Sequence, residues 1–150
     1  PVWIETIRAM GAEPTPIAWG EVYSALQLGA IDAAEAQPTA ITGAKLFEVV
    51  KNVTKTGHIQ LVTALVVSSE AWDTISPENQ KIVRDLAVEA GRYGSNLTIK
   101  LGTEALEKVA AAGVTVSDVD LAPFKEAVKG VYPMLNLEAE AKIVDRVLGR

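Results

Sequence analysis

The sequence predicts an α/β fold with one very long helix, on three observations. A run of aliphatic and β-branched residues from His58 to Ser68 is typical of a strand buried on both faces. An apolar stripe at helical spacing runs from Ile82 to Tyr93, inside a proline-free stretch that continues to Ala112. Hydrophobic residues make up 49% and charged residues 22%, the balance of a folded globular chain.

Shorter elements are predicted in the first 55 residues, bounded by glycine or proline. They are a helix over Val2–Met10 that stops at Gly11, a brief buried strand or extended turn at Ile17–Trp19, a helix over Gly20–Leu28 that Gly29 closes, and a helix over Thr39–Lys45 begun by Pro38. Residues 46–55 fit either a helix end or a strand.

The long helix has a well-marked beginning. Ser76 is placed as N-cap, Pro77 takes the first helical position, and Glu78 complements the helix dipole. A helix from Pro77 to Ala112 is about 54 Å long, more than one small domain needs. We therefore expect it to cross two lobes, one of which this chain lacks, with a kink at its glycines Gly91, Gly94 and Gly102. A coiled coil is the alternative, but no heptad persists over three repeats.

After Gly113 the pattern predicts a short strand at Val114–Val116 and closing helices over Pro123–Val131 and Ala139–Leu148.

Composition excludes several function classes. The formal net charge is −5 and basic residues are scattered, which argues against a nucleic-acid partner. Cysteine is absent, so disulfides and thiolate metal sites are excluded. No apolar run is long enough for a membrane helix. The first residues have neither an initiator methionine nor a secretory signal, so we expect a piece of something longer.

An enzyme is weakly supported by the side chains. Asp32 and Glu35 have the spacing of an acid and base pair, but no second histidine, nucleophile motif, metal spacing or phosphate loop accompanies them. His58, the only histidine, fits a structural residue at a strand start better than a ligand. We expect no catalysis and no cofactor.

The most informative pattern covers residues 15–35. It combines Pro16, Trp19 and Glu21 with a following Ala25-Leu26-Gln27 that leads to Gly29, Asp32 and Glu35. This pattern resembles the signature of the extracytoplasmic solute receptors of TRAP transporters, the DctP-like family. Three shorter matches follow in the family's order: Gly11–Pro16, Thr56–His58 and Ser76–Gln80.

The resemblance implies the C-terminal half of a periplasmic receptor with a two-lobe, periplasmic-binding-protein-like fold. Residues 1–75 would form part of the second ligand-binding lobe with its core strand, 76–112 the long connecting helix, and 113–150 a strand and closing helices. Such a receptor binds a small organic acid and delivers it to membrane permease subunits. Glu21 and Glu35 would stabilise the lobe rather than act in catalysis.

The resemblance also implies ligand-binding positions. The family's carboxylate-clamping arginine stands a few residues before the position of Pro1, so this chain lacks it, and Arg8 does not replace it. Trp19 matches the aromatic that packs on the ligand, although a core tryptophan is the alternative.

Three further positions concern the pocket wall. Ala36 stands where many relatives carry a ligand-binding asparagine, which implies a ligand unlike that of the sialic-acid type. Gln37 would either supply an amide from next door or point to solvent. Thr63 would offer a hydroxyl from the core strand, or simply be a β-branched strand former.

The alternative to a receptor is a helical structural or interaction domain that dimerises through the long helix without a ligand. Even as part of a receptor, the isolated chain is expected to expose apolar surface and to self-associate.

Overall fold

The structure is a computed structural model that describes residues 2–59 and 61–147. Its helices in those ranges are α1 (Val2–Ala9), α2 (Val22–Leu28), α3 (Pro38–Gly43), α4 (Ser69–Asp73), α5 (Pro77–Ala111), α6 (Ala122–Ala127), α7 (Val131–Met134) and α8 (Glu138–Val147). Strands β1 (Asn52–Lys55) and β2 (Thr115–Asp118) pair in a two-stranded sheet. Two 3-10 turns occupy Trp19–Glu21 and Leu46–Glu48. The predicted mixture of helix and sheet is confirmed.

The chain divides into two compact units. The terminal unit consists of Pro1–Ala34 and Asp118–Arg150, and the central unit of Glu35–Ser117. The predicted boundaries at residues 75 and 112 refer to the lobes of a longer receptor and stay a prediction.

Glycines end the first helices of the terminal unit, as predicted. Gly11 follows α1 with φ of 93° and Gly29 follows α2 with φ of 69°, a conformation that side chains with a Cβ rarely adopt. The Ala30 amide donates to the carbonyl of Ala25 at 2.9 Å, which closes the end of α2. The unit's buried residues include Val22 and Val131.

Two predictions in the terminal unit need correction. Of the two alternatives at Ile17–Trp19, the buried strand is wrong, because residues 12–18 form no strand and Ile17 is 37% exposed, whereas the extended turn agrees with the extended Ala18 before the 3-10 turn. The helix predicted over Pro123–Val131 is two short helices, because the chain turns between α6 and α7 at Gly130. The last predicted helix is confirmed as α8, while its expected end at Leu148 lies outside the described residues.

The core of the central unit lies where α3 packs against the last turns of α5. Its buried residues are Ile41, Leu46, Ala105, Val109 and Val114, and Val109 has no exposed surface at all. The Lys108 ammonium lies 5.9 Å from the centre of the Phe47 ring, over the same region. The C-terminal third of α5 is therefore the part that tertiary packing holds.

The predicted long helix is confirmed almost to the residue, since α5 runs through 35 residues from Pro77 to Ala111. The Ser76 hydroxyl accepts a hydrogen bond from the Asn79 amide at 3.3 Å, as an N-cap does. The Gln80 side chain donates to the Trp72 carbonyl at 2.9 Å and to the Ile75 carbonyl at 3.2 Å. Gln80 thus ties the end of α4 to the beginning of α5. The kink at the glycines stays a prediction.

The predicted core strand at His58–Ser68 is wrong. The described residues of this range belong to no strand, and residues 61–68 are all exposed. A strand exists only when a neighbouring strand accepts and donates its backbone hydrogen bonds. The one sheet of the described residues contains β1 and β2 and offers no ladder to this segment. Residues 61–67 have the composition of a strand, but no strand of the described residues pairs with them.

Most of α5 before its packed end is exposed, including Ile82, Leu86 and Tyr93 of the predicted apolar stripe.

None of the helices in the described ranges is both long enough and apolar enough to cross a bilayer.

Candidate ligand-binding site

Trp19 stands in a 3-10 turn of the terminal unit. The preceding residue, Ala18, is extended with φ of −66° and ψ of 139°, and its carbonyl accepts from the Glu21 amide at 2.9 Å. The turn leaves the indole ring 49% exposed. Within the described residues the ring is therefore not packed in a core, and its place in a ligand pocket stays a prediction. A rigid ring on a hydrogen-bonded turn can pack flat against a ligand with little loss of conformational entropy.

Ala36 and Gln37 stand in the central unit, immediately before α3. The Gln37 backbone is extended with φ of −70° and ψ of 151°, and its carbonyl accepts from the amides of Ala40 and Ile41 at 2.9 and 3.0 Å. The Gln37 side chain makes no cap hydrogen bond and is exposed, whereas Ala36 is half-buried. The amide of Gln37 is therefore available for a ligand or for solvent.

Thr63 also belongs to the central unit, but its environment differs from the expectation. It is exposed on the extended segment that replaces the predicted core strand. Its role as a residue of the pocket wall depended on that strand. Of the four predicted residues, Ala36 and Gln37 are neighbours in the chain, Thr63 lies elsewhere in the same unit, and Trp19 belongs to the other unit.

Arg8 is engaged by carboxylates of its own neighbourhood. Its guanidinium donates to the Glu5 carboxylate at 2.6 Å and lies 3.7 Å from that of Glu13. The hydrogen bond with Glu5, followed by the negative charge of Glu5, raises the pKa of Arg8 above its ordinary value. The Arg8 guanidinium thus pairs with carboxylates of its own unit.

His58 lies just after β1. Its Nδ1 lies 2.6 Å from the Thr56 hydroxyl, a hydrogen bond whose donor depends on the ring tautomer. Its Nε2 is buried and has no partner among the described residues. The contact with Thr56 fixes the ring just after β1.

An apolar groove of about 530 Å³ lies in the central unit, and no sequence pattern predicted it. It is lined by Leu65, Val66, Val67, Ser69, Trp72, Asp73, Val83, Arg84 and Ala87. The Arg84 guanidinium stacks 4.7 Å from the centre of the Trp72 ring. Helix α4 forms one wall of the groove. The feature of the sequence that indicates the beginning of α4 is Ser68, an N-cap residue whose hydroxyl accepts from the Ala71 amide at 3.3 Å. None of the four predicted site residues lines this groove.

Asp32 and Glu35 are both exposed. Nowhere in residues 2–59 and 61–147 do three or more histidine or carboxylate side chains gather in a way that would hold a metal ion.

The sequence model of the bacterial extracellular solute-binding proteins, family 7 (DctP), matches residues 1–138. Together with the elements and exposed positions described above, this match defines a solute-binding protein. The chain belongs to the DctP family of solute receptors.

Individual relatives of the chain are also solute-binding proteins. The chain is 39% identical over 131 residues to the ectoine-binding periplasmic protein TeaA of Halomonas elongata, covering 84% of this chain and 38% of TeaA. A TRAP periplasmic solute-binding protein of Escherichia fergusonii was solved in an open form without ligand. It is 43% identical to this chain and superposes with a TM-score of 0.92, and the match covers 95% of this chain and 48% of the E. fergusonii chain. One from Actinobacillus succinogenes, solved with L-galactonate, is 40% identical with a TM-score of 0.73 over 86% of this chain and 43% of its own. The chain thus spans less than half the length of each.

Proposed function

We propose that this chain is part of a periplasmic receptor that binds a small organic acid and delivers it to the permease subunits of a TRAP transporter. The observation that carries the proposal is the family match over residues 1–138, together with relatives that bind ectoine and L-galactonate. L-galactonate is a hydroxylated acid, so a sugar acid is the first ligand class to test. Contacts from two lobes would favour a closed state and retain the ligand.

Trp19 is proposed as the residue that packs on the ligand. The support is its match to the family's aromatic and its exposed ring on an ordered turn. Gln37 is proposed as an amide partner for ligand hydroxyls, since its side chain is exposed and makes no cap hydrogen bond. Ala36 would lack the amide donor and acceptor that an asparagine would offer at this position, so the ligand should differ from one that an asparagine binds. Thr63 stays a proposed wall residue, conditional on its segment pairing with another strand.

A thermal-shift screen tests the receptor function. The full product of the gene that encodes this sequence is heated with mono- and dicarboxylates, keto acids, ectoine and sugar acids. A ligand at 100 times its Kd adds about 2.7 kcal/mol to the free energy of unfolding. L-galactose is the matched control for L-galactonate, because it lacks the carboxylate. A folded protein that responds to no acid, or equally to acid and neutral sugar, contradicts the proposal.

The proposal includes self-association of the isolated 150-residue chain. Its support is the exposure of large apolar side chains such as Val62, Val66 and Leu86.

A further inference from the structure

The guanidinium of Arg8 joins helix α1 to the loop that leads to Trp19. Its Nη1 donates to the Glu5 carboxylate at 2.6 Å, and its Nη2 lies 3.7 Å from the Glu13 carboxylate. Arg8 and Glu5 belong to α1, whereas Glu13 lies in residues 12–18, which form neither helix nor strand. All of these residues belong to the terminal unit, so the contact lies within one compact unit.

Few other polar contacts hold this loop. Backbone hydrogen bonds from the end of α1 reach as far as the Ala12 amide, which donates to the Ile7 carbonyl at 3.3 Å. Residues 13–17 take part in no hydrogen bond with the described ranges, and of these five only Pro14 is half-buried. Within the described residues, the ion pair of Glu13 is therefore the last polar contact before the 3-10 turn.

The loop is stiff enough to carry a constraint from Glu13 to Trp19. A proline fixes its own φ at about −65° and holds the residue before it in extended backbone. Pro14 and Pro16 follow Glu13 and Thr15, so four consecutive residues have restricted backbone angles. Proline-rich segments behave as semi-rigid spacers, so a displacement at one end of the loop reaches the other end.

We propose that Arg8 is a positioning residue for ligand binding, because its ion pair with Glu13 holds the loop that presents the Trp19 ring. This role rests on the proposed function, in which Trp19 packs on the ligand. The hydrogen bond to Glu5 restrains the guanidinium in advance, so less side-chain entropy is lost in holding Glu13. A binding residue held in its productive orientation binds more tightly than one that must first be ordered.

The first test measures hydrogen exchange of the Glu21 amide by nuclear magnetic resonance, in the full product of the gene and without a ligand. This amide donates to the Ala18 carbonyl and closes the Trp19 turn, so its exchange rate reports opening of the turn. Glu13→Gln removes the charge and keeps the shape, and should raise the rate about two- to fivefold, the range of an exposed ion pair.

The matched control is Glu126→Gln. It breaks the exposed ion pair of Glu126 with Lys129 in the same unit, and it should leave the exchange rate of the Glu21 amide unchanged. Thermal unfolding of each variant checks that the receptor stays folded.

Two further readouts separate the ion pair from a merely structural contact. In about 1 M sodium chloride the Debye length falls to about 3 Å, so the wild-type exchange rate should rise to that of Glu13→Gln while the variant's rate stays constant. Adding Glu13→Gln to Arg8→Gln should raise the rate no further, because removal of either charge removes the same contact.

The second test measures the Kd of the full receptor for L-galactonate by calorimetry. Trp19→Ala should raise this Kd about tenfold, and Glu13→Gln about two- to fivefold. In the Trp19→Ala variant, Glu13→Gln should have no further effect on the Kd, since the ion pair acts through the ring.

Three results overturn the proposal. They are equal Glu21 exchange in the wild type and Glu13→Gln, a faster exchange that high salt does not reproduce, and an effect of Glu13→Gln on the Kd that persists in Trp19→Ala. If Trp19→Ala binds L-galactonate as the wild type does, the positioning role fails together with the ligand role of Trp19. If the wild type binds none of the acids of the thermal-shift screen, the proposed function fails, and the exchange test still decides whether Arg8 orders the turn.

Discussion

Val109→Ala tests whether the core of the central unit holds the long helix. Val109 is fully buried where α5 meets α3. Removing two methylene equivalents costs about 1.6 kcal/mol in transfer free energy, and the cavity left behind adds up to about 1 kcal/mol. The higher helix propensity of alanine offsets about 0.5 kcal/mol. The expected loss is therefore about 2 kcal/mol in the free energy of unfolding.

Urea denaturation followed by far-ultraviolet circular dichroism measures this loss, at a concentration where the chain is monomeric. Val88→Ala is the matched control, since it makes the same change in the same helix at a residue that is 56% exposed. Val88→Ala should change the free energy of unfolding by less than about 0.5 kcal/mol. If the two variants have equal stability, Val109 does not carry the packing between α3 and α5.

Three further predictions concern local features. Ser76→Ala removes the N-cap of α5 and should cost about 1 kcal/mol in urea denaturation. Gly29→Ala forces a Cβ into the left-handed region and should cost about 1 to 2 kcal/mol; Gly20→Ala, with open space around its Cα, should cost less. Trp19→Ala should raise the Kd of the ligand found by the screen about tenfold or more, measured by calorimetry. Trp3→Ala, 59% exposed in the same unit, should leave that Kd unchanged.

Local sequence signals predicted the helices well. The Ser76 cap, Pro77 and an uninterrupted apolar stripe identified α5, because these features act within one or two turns of the chain. Gly11 and Gly29 marked helix ends for the same reason, since the left-handed conformation at each depends on that residue alone.

Features that depend on distant residues were harder to predict. The aliphatic run at 61–67 has strand composition, but strand formation requires a partner that the composition does not reveal. Trp19 illustrates the same limit for the site. Its turn was visible from Pro16, but nothing local distinguished a buried ring from an exposed one. The apolar groove could not be predicted from any one stretch of sequence, because its walls come from α4, α5 and residues 65–67 together.

The uneven packing of α5 has a consequence for its dynamics. The helix extends for about 52 Å, but only its last turns, around Ala105 and Val109, are buried against another element. An isolated helix is marginally stable in water, and Gly91, Gly94 and Gly102 weaken this one further. In the monomer, amide protons near Val109 should exchange with solvent only on unfolding of the whole central unit. Those between Ile82 and Leu97 should exchange through local opening, so one continuous helix would show a gradient of protection along its length.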